Sequence, residues 1–192
     1  MHPFHPFWSL EVPRVDGQLL LTPCPGTQQV PLTLALDQLR LAGAHGVVTL
    51  MTSAELTRLE LAPLGQQVEH EGMRWFHLPI EDDLAPDTDF EAAWQQALPQ
   101  LRELLGDGKH LVIHCKGGSG RTGLVAAALL MTLGQPQQEA MAAIKAHRPK
   151  AFTLACHRQW LDQLAERLEL AEQDKRTAVE LAQAKVASEL QQ

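Results

Sequence analysis

Cysteine is scarce in this chain: three in 192 residues, an odd number at wide spacing. That excludes a disulfide framework and a zinc site built from cysteine pairs, and it suits a reducing compartment. Basic residues are outnumbered, 16 Lys and Arg against 23 Asp and Glu, for a net charge of −7. A general nucleic-acid binder would carry a basic surface instead, and nothing here draws the chain to an anionic membrane. No apolar run approaches the roughly 20 residues of a membrane span. Met1 to Trp8 has neither the basic region nor the apolar core of a secretory signal, so the expected location is cytoplasmic. His2 and His5 stand in that Pro-rich arm, which reads as a solvated segment packing its aromatics rather than as a metal site. No Gly-Lys-Ser/Thr occurs, so there is no Walker A loop.

What is present is an ordinary globular composition, 45% hydrophobic, in a length that suits one domain with an appendage. Val12–Val15 and Gln18–Thr22 flank Asp16-Gly17, the strongest short hairpin signal. Thr22 to Thr27 breaks the pattern as a loop, in which Cys24 reads as a packing residue rather than a redox partner. Leu32, Leu36 and Leu39 predict a helix ended by Gly43. Gly46–Met51 reads as a buried strand, and Thr52 with Glu55 forms a capping box for a helix to about Leu61. Met73–Leu78 is a third strand. Thr88 with Glu91 reads as a second capping box, opening a helix whose inner face is Phe90, Trp94, Leu98, Leu101 and Leu105, with Pro99 as a kink point. After Pro136 one more helix leads to His147-Arg148-Pro149, and another runs from Thr153 to Leu170, with Cys156 and His157 as ordinary helix-face residues. Strands alternating with helices predict an α/β fold: a central, mostly parallel sheet flanked by helices. The expected divisions are an N-terminal arm and hairpin strand over 1–17, a catalytic domain over 18–165 and a helical C-terminal tail over 166–192.

The chemistry concentrates in His114-Cys115-Lys116-Gly117-Gly118-Ser119-Gly120-Arg121-Thr122-Gly123. An apolar strand, Leu111 to Ile113, delivers Cys115 into a glycine-rich turn that feeds a buried helix ending near Leu133. Glycines let the N–H groups of Lys116, Gly117, Gly118, Ser119, Gly120 and Arg121 converge, and the positive end of the helix dipole adds to them. The same surroundings favour a thiolate on Cys115, a nucleophile at neutral pH. Arg121 returns to the same centre with a planar fork suited to phosphoryl oxygens. His114 is expected to orient the loop, and the Thr122 hydroxyl to assist the departing sulfur. Gly118 to Gly123 also matches the dinucleotide fingerprint. That fold, however, needs a second strand ending in an acidic residue about 20 positions on, where this chain is helical in period.

Phosphoryl transfer to water further needs an acid for the leaving oxygen. Glu81, Asp82, Asp83 and Asp87 follow the third strand together, with Asp87 placed to cap the next helix beside Thr88.

The signature His-Cys, two residues, Gly, two residues, Arg-Thr resembles that of the protein tyrosine phosphatase superfamily. The wider chain, over residues 18 to 165, is similar to kinase-associated phosphatases among the atypical dual-specificity enzymes and their bacterial relatives. This resemblance implies the cysteine-phosphatase fold, no metal or other cofactor, and a phosphocysteine intermediate on Cys115. Its Pro-x-x-Asp stretch implies Asp82 as the acid, with Asp83 next. Phosphoprotein, on Tyr or Ser/Thr, is the implied substrate; an inositol phosphate or phosphoinositide, and a non-catalytic phosphate-binding adaptor, are the alternatives. Some members place a water-positioning glutamine ahead of the last helix, where this chain has Thr153 and His157, with Gln159 nearby. Oligomeric state leaves no trace in the sequence.

Overall fold

In the computed structural model, which describes residues 3–189, twelve elements follow one another in chain order. They are β1 (Trp8–Glu11), β2 (Gln18–Thr22), α1 (Leu32–Leu41), β3 (Ala44–Thr49), α2 (Ser53–Arg58), α3 (Leu64–His70), β4 (Arg74–His77), α4 (Thr88–Gly106), β5 (His110–His114), α5 (Gly120–Thr132), α6 (Gln137–His147) and α7 (Ala155–Glu189). His2 of the arm and residues 190–192 of the tail lie outside the described residues.

The five strands form one sheet in the order β1-β2-β5-β3-β4. β2, β5, β3 and β4 pair in parallel, and β1 closes one edge antiparallel to β2. The expected α/β architecture is therefore observed. Successive strand residues point to opposite faces, and the core divides accordingly. Leu19, Leu21, Leu111, Ile113 and Val48 pack with residues of α4, α5, α6 and α7, while Leu20, Val112 and Val47 pack with residues of α1, α2 and α3. A parallel sheet covered on both faces needs strands that are apolar throughout, and β5 supplies Leu-Val-Ile at its centre.

Register aligns the carboxyl ends of the four parallel strands. Thr22 pairs with His114, His114 with Thr49, and Thr49 with His77. A row of polar residues thus ends an apolar sheet, and each is followed by a loop that enters the site. Ligands of open α/β sheets sit beyond these ends.

Three local expectations are corrected. The hairpin's first strand is Trp8–Glu11, not Val12–Val15. Pro13 has no N–H for a ladder and Arg14 takes a left-handed φ of 71°, so Val12 to Gly17 becomes the connection. Thr88 does not cap α4; the Asp87 side chain accepts from Phe90 N at 2.8 Å, leaving Thr88 as the first helical residue. Glu91 is thereby free to accept from Trp160 Nε1 and Arg167. The helix opened by the Thr52–Glu55 capping box ends at Arg58, and a separate α3 follows after Pro63. The tail belongs to α7, which runs unbroken to Glu189 and is exposed from Glu169 onward wherever its side chains are described.

Candidate active site

Cys115 leaves the end of β5 only 4% exposed. The turn that follows is fitted against the loop after β2: Cys24 N donates to Lys116 O at 3.1 Å. Gly118 makes the bend at φ 69°, and a Cβ there would stand 2.5 Å from Thr22 C and Pro23 N. Both the conformation and the contact demand glycine. α5 then begins at Gly120, so its first N–H groups open onto the turn.

His114 is wholly buried, and its hydrogen bonds fix its tautomer. Cys115 O, 3.3 Å from His114 Nδ1, can only accept, so the neutral ring accepts at Nε2 from Thr49 Oγ1 at 2.8 Å, and that hydroxyl in turn accepts from Trp75 Nε1 at 2.9 Å. His114 Nδ1 therefore carries the ring proton toward the Cys115 carbonyl. Burial pushes the His114 pKa down to about 4 despite that carbonyl, keeping the ring neutral. The imidazole thus holds the backbone carbonyl of Cys115. Thr122 Oγ1 is buried and has no hydrogen-bond partner among the described residues.

Arg121, on the first turn of α5, is 2% exposed. Its Nη1 and Nη2 each donate to a Glu55 carboxylate oxygen at 2.8 Å, and Nη1 also donates to Ile80 O at 2.8 Å. Nη2 lies 3.0 Å from Asp82 Oδ1. Burial alone would raise the Glu55 pKa, but the bonds from Arg121 and the Thr52 amide hold it below the usual carboxylate range. The Arg121 charge is opposed by burial and upheld by Glu55, with Cys115 and Asp82 adding to it.

The structure therefore pairs Arg121 with Asp82 and keeps Arg121 within electrostatic reach of Cys115, while Lys116 and Gly117 are exposed. Asp83 sits beyond them with a left-handed φ of 61°. Its carbonyl accepts from Cys156 Sγ at 3.7 Å, and the next carbonyl, Leu84 O, accepts from His157 Nε2 at 2.8 Å. Cys156 and His157 are thus more than helix-face residues: the first turns of α7 grip the loop that carries Asp82. Burial lowers the His157 pKa, so the neutral ring donates here. Thr153 and Gln159 are exposed. Cys24 is completely buried, and burial pushes its thiol up to about 12, with the neighbouring charges of Cys115 and Glu55 adding; such a thiol packs rather than reacts.

Glu55 and Arg148 are the functional neighbours that sequence patterns did not supply. Arg148 donates to Ser119 Oγ and Gly117 O. Glu55 was visible only as a helix cap, a position that already fixed its carboxylate close to the end of β3. Arg148 had its place just after a helix as its single signal.

Residues 26–135 match the family model described as a polymorphic toxin system, DSP-PTPase phosphatase. The chain is 32% identical over 105 residues to cyclin-dependent kinase inhibitor 3 of Rattus norvegicus, covering 53% of this chain and 48% of that protein. It therefore spans about half the length of that curated relative. Among solved structures, a kinase-associated phosphatase with serine in place of its catalytic-site cysteine superposes with a TM-score of 0.77 at 22% identity. That match covers 88% of this chain and 98% of the other. PTPMT1 in complex with PI(5)P superposes with a TM-score of 0.65 at 18% identity, over 82% of this chain and 95% of its own. At these identities the two structures speak to the fold, and both carry the same one.

Proposed function

The chain belongs to the dual-specificity protein tyrosine phosphatase family, and on that premise we propose that it is a cysteine-dependent phosphatase of phosphomonoesters. Phosphoprotein, on Tyr or Ser/Thr, is the substrate class we favour. The observation that carries the reading is the contact between Arg121 Nη2 and Asp82 Oδ1 at 3.0 Å, at the mouth of the loop that Cys115 opens. It sets the Arg121 guanidinium and the Asp82 carboxyl side by side, from segments 39 residues apart in sequence.

In this reading Cys115 Sγ attacks phosphorus as the phosphorus–oxygen bond of the ester breaks, and Asp82 gives its proton to the leaving oxygen. Arg121 and the N–H groups from Lys116 to Arg121 hold the three non-bridging oxygens, the electrostatic work that phosphoryl transfer chiefly requires. An arriving phosphoryl dianion displaces the Asp82 carboxylate from Nη2, and the freed carboxylate takes a proton from water before it serves as acid, while Glu55 keeps the guanidinium in plane. Water then attacks the phosphocysteine, Asp82 takes its proton, and the thiolate departs with release of inorganic phosphate. No metal or cofactor enters any step. We place the enzyme in the cytoplasm, where a thiolate stays reduced, with residues 18–165 as the catalytic unit between an N-terminal arm and a helical tail.

Lys116 on the rim favours a second reading, an inositol phosphate or phosphoinositide as substrate. The test is hydrolysis of a small aryl phosphate in EDTA and reductant by wild type and Cys115→Ser. Turnover that survives chelation and vanishes in the variant supports the enzyme. Folded wild type without turnover refutes it and points to a phosphate-binding adaptor. Phosphate release from phosphopeptides set against release from phosphoinositides then separates the two substrate classes.

A further inference from the structure

We propose that Arg148 is a positioning residue for the phosphate cradle, clamped in place by the N-terminal strand through Trp8; this rests on the cradle being the phosphate site. Arg148 lies just beyond α6 and reaches back to the turn. Nε and Nη2 donate to Ser119 Oγ at 3.1 and 2.7 Å, and Nη2 also donates to Gly117 O at 2.8 Å. Ser119 and Gly117 flank Gly118, the residue that bends the loop. One planar fork therefore fixes the loop on both sides of its bend, which a point charge on a flexible stem would not do.

The guanidinium carbon lies 4.0 Å from the centroid of the Trp8 ring, within cation–π range. Trp8 is itself held, since β1 pairs it with Leu21 of β2. A second contact from the same arm supports the loop from below. His5, wholly buried, sits with Nε2 2.7 Å from Thr22 Oγ1. Thr22 is the residue whose carbonyl a Cβ on Gly118 would strike. The arm over residues 5–8 thus backs the cradle at two points.

The loop between Cys115 and Arg121 contains three glycines in five residues. Glycine has the most backbone freedom to lose, and converging N–H donors act on an anion only when their directions are set beforehand. A braced loop meets that requirement. Arg148 then works through Ser119 and Gly117 on the bound phosphoryl group rather than by touching it.

The experiment measures inorganic tungstate binding by calorimetry and aryl phosphate turnover for the full chain, with circular dichroism confirming that each variant is folded at the assay temperature. Arg148→Ala should weaken tungstate binding and lower kcat/KM together by about 10- to 100-fold, the scale of a displaced catalytic frame. Arg148→Lys should not restore either. Ser119→Ala, which removes two of the three bonds without touching the core, should give a smaller loss of the same kind. Trp8→Leu should lower both quantities and Trp8→Phe should keep them, because an aromatic face suffices. Folded Arg148→Ala or Ser119→Ala that binds tungstate as tightly as wild type overturns the proposal, whatever its melting temperature. Wild type that binds tungstate without hydrolysing any ester refutes the enzyme reading and leaves the brace to be decided by tungstate alone. Wild type that does neither refutes both.

Discussion

Removing Glu55 should damage stability and catalysis together. Glu55 gives both carboxylate oxygens to Arg121 at 2.8 Å, and the arginine is 2% exposed. Deleting one partner of a buried ion pair leaves a desolvated charge, which costs about 3–5 kcal/mol. Here Arg121 keeps Asp82 and the Ile80 carbonyl, so Glu55→Ala should fall at the lower end, about 3 kcal/mol. For a chain of this length that lowers Tm by about 6–12 °C, read by thermal unfolding at neutral pH. Glu55→Gln is the sharper probe: its amide oxygen can still accept from the Thr52 amide as the capping box requires, but its –NH2 faces the guanidinium. It should keep α2 and lose most of kcat/KM on aryl phosphate, because the –NH2 repels Nη2 and Arg121 keeps only one of its two bonds to residue 55, tilting its fork. In the double variant Glu55→Ala, Arg121→Ala the losses should be less than additive, since no uncompensated charge remains. Glu55→Ala melting within about 2 °C of wild type, with unchanged kcat/KM, would refute the reasoning.

Acid should unfold the protein through two buried groups acting in the same direction. His114 has a folded pKa of about 4 against 6.5 unfolded, so the unfolded chain binds more protons between those values. Stability falls as pH drops across that window, by on the order of 3 kcal/mol from this group. Glu55, with its pKa depressed, contributes stability that is present above the unfolded carboxylate value and lost as pH falls through the folded one. Melting curves from pH 7 to 4 check this, and His114→Asn should flatten the upper part of the decline; an unchanged slope counts against it. Asp82→Asn should reduce turnover of an alkyl phosphate by about 100-fold or more while costing far less on an aryl phosphate whose leaving group needs little protonation; equal losses on both would exclude Asp82 as acid. His157→Ala, by releasing Leu84 O, should show the same leaving-group dependence at smaller size, and a loss equal on both substrates would argue against its hold on the acid loop. Gly118→Ala should abolish tungstate binding, because the new methyl group meets backbone 2.5 Å away; retained binding would contradict that geometry.

The cradle was legible in the sequence because its parts are contiguous: strand, cysteine, glycines, arginine and helix occupy one uninterrupted stretch, and local geometry follows from local composition. The capping box at Thr52 was legible for the same reason. Thr88 carried the same signal and misled, because Asp87, one residue earlier, competes for the same helix N–H groups and a carboxylate accepts more strongly than a hydroxyl. Pro13 displaced the hairpin strand because a single missing N–H outweighs apolar alternation. Glu55 with Arg121, 66 residues apart, and Arg148 with Ser119, 29 apart, leave no periodic trace. Such partners are set by strand order and helix exit, which only the assembled sheet supplies. His157 looked like any helix-face residue because its function depends on the far side of the contact, a bare carbonyl in another loop.

α5 has one more consequence. From Leu124 to Leu130 every residue is 0% exposed, so the helix is the central post of the molecule as well as the carrier of Arg121. A mobile surface loop can melt early and silence an enzyme that is otherwise intact. Here the anion-holding end and the core share one rigid rod, and α5 has no solvent face along which it can loosen. Loss of anion binding at the turn and global unfolding should then coincide in a thermal scan.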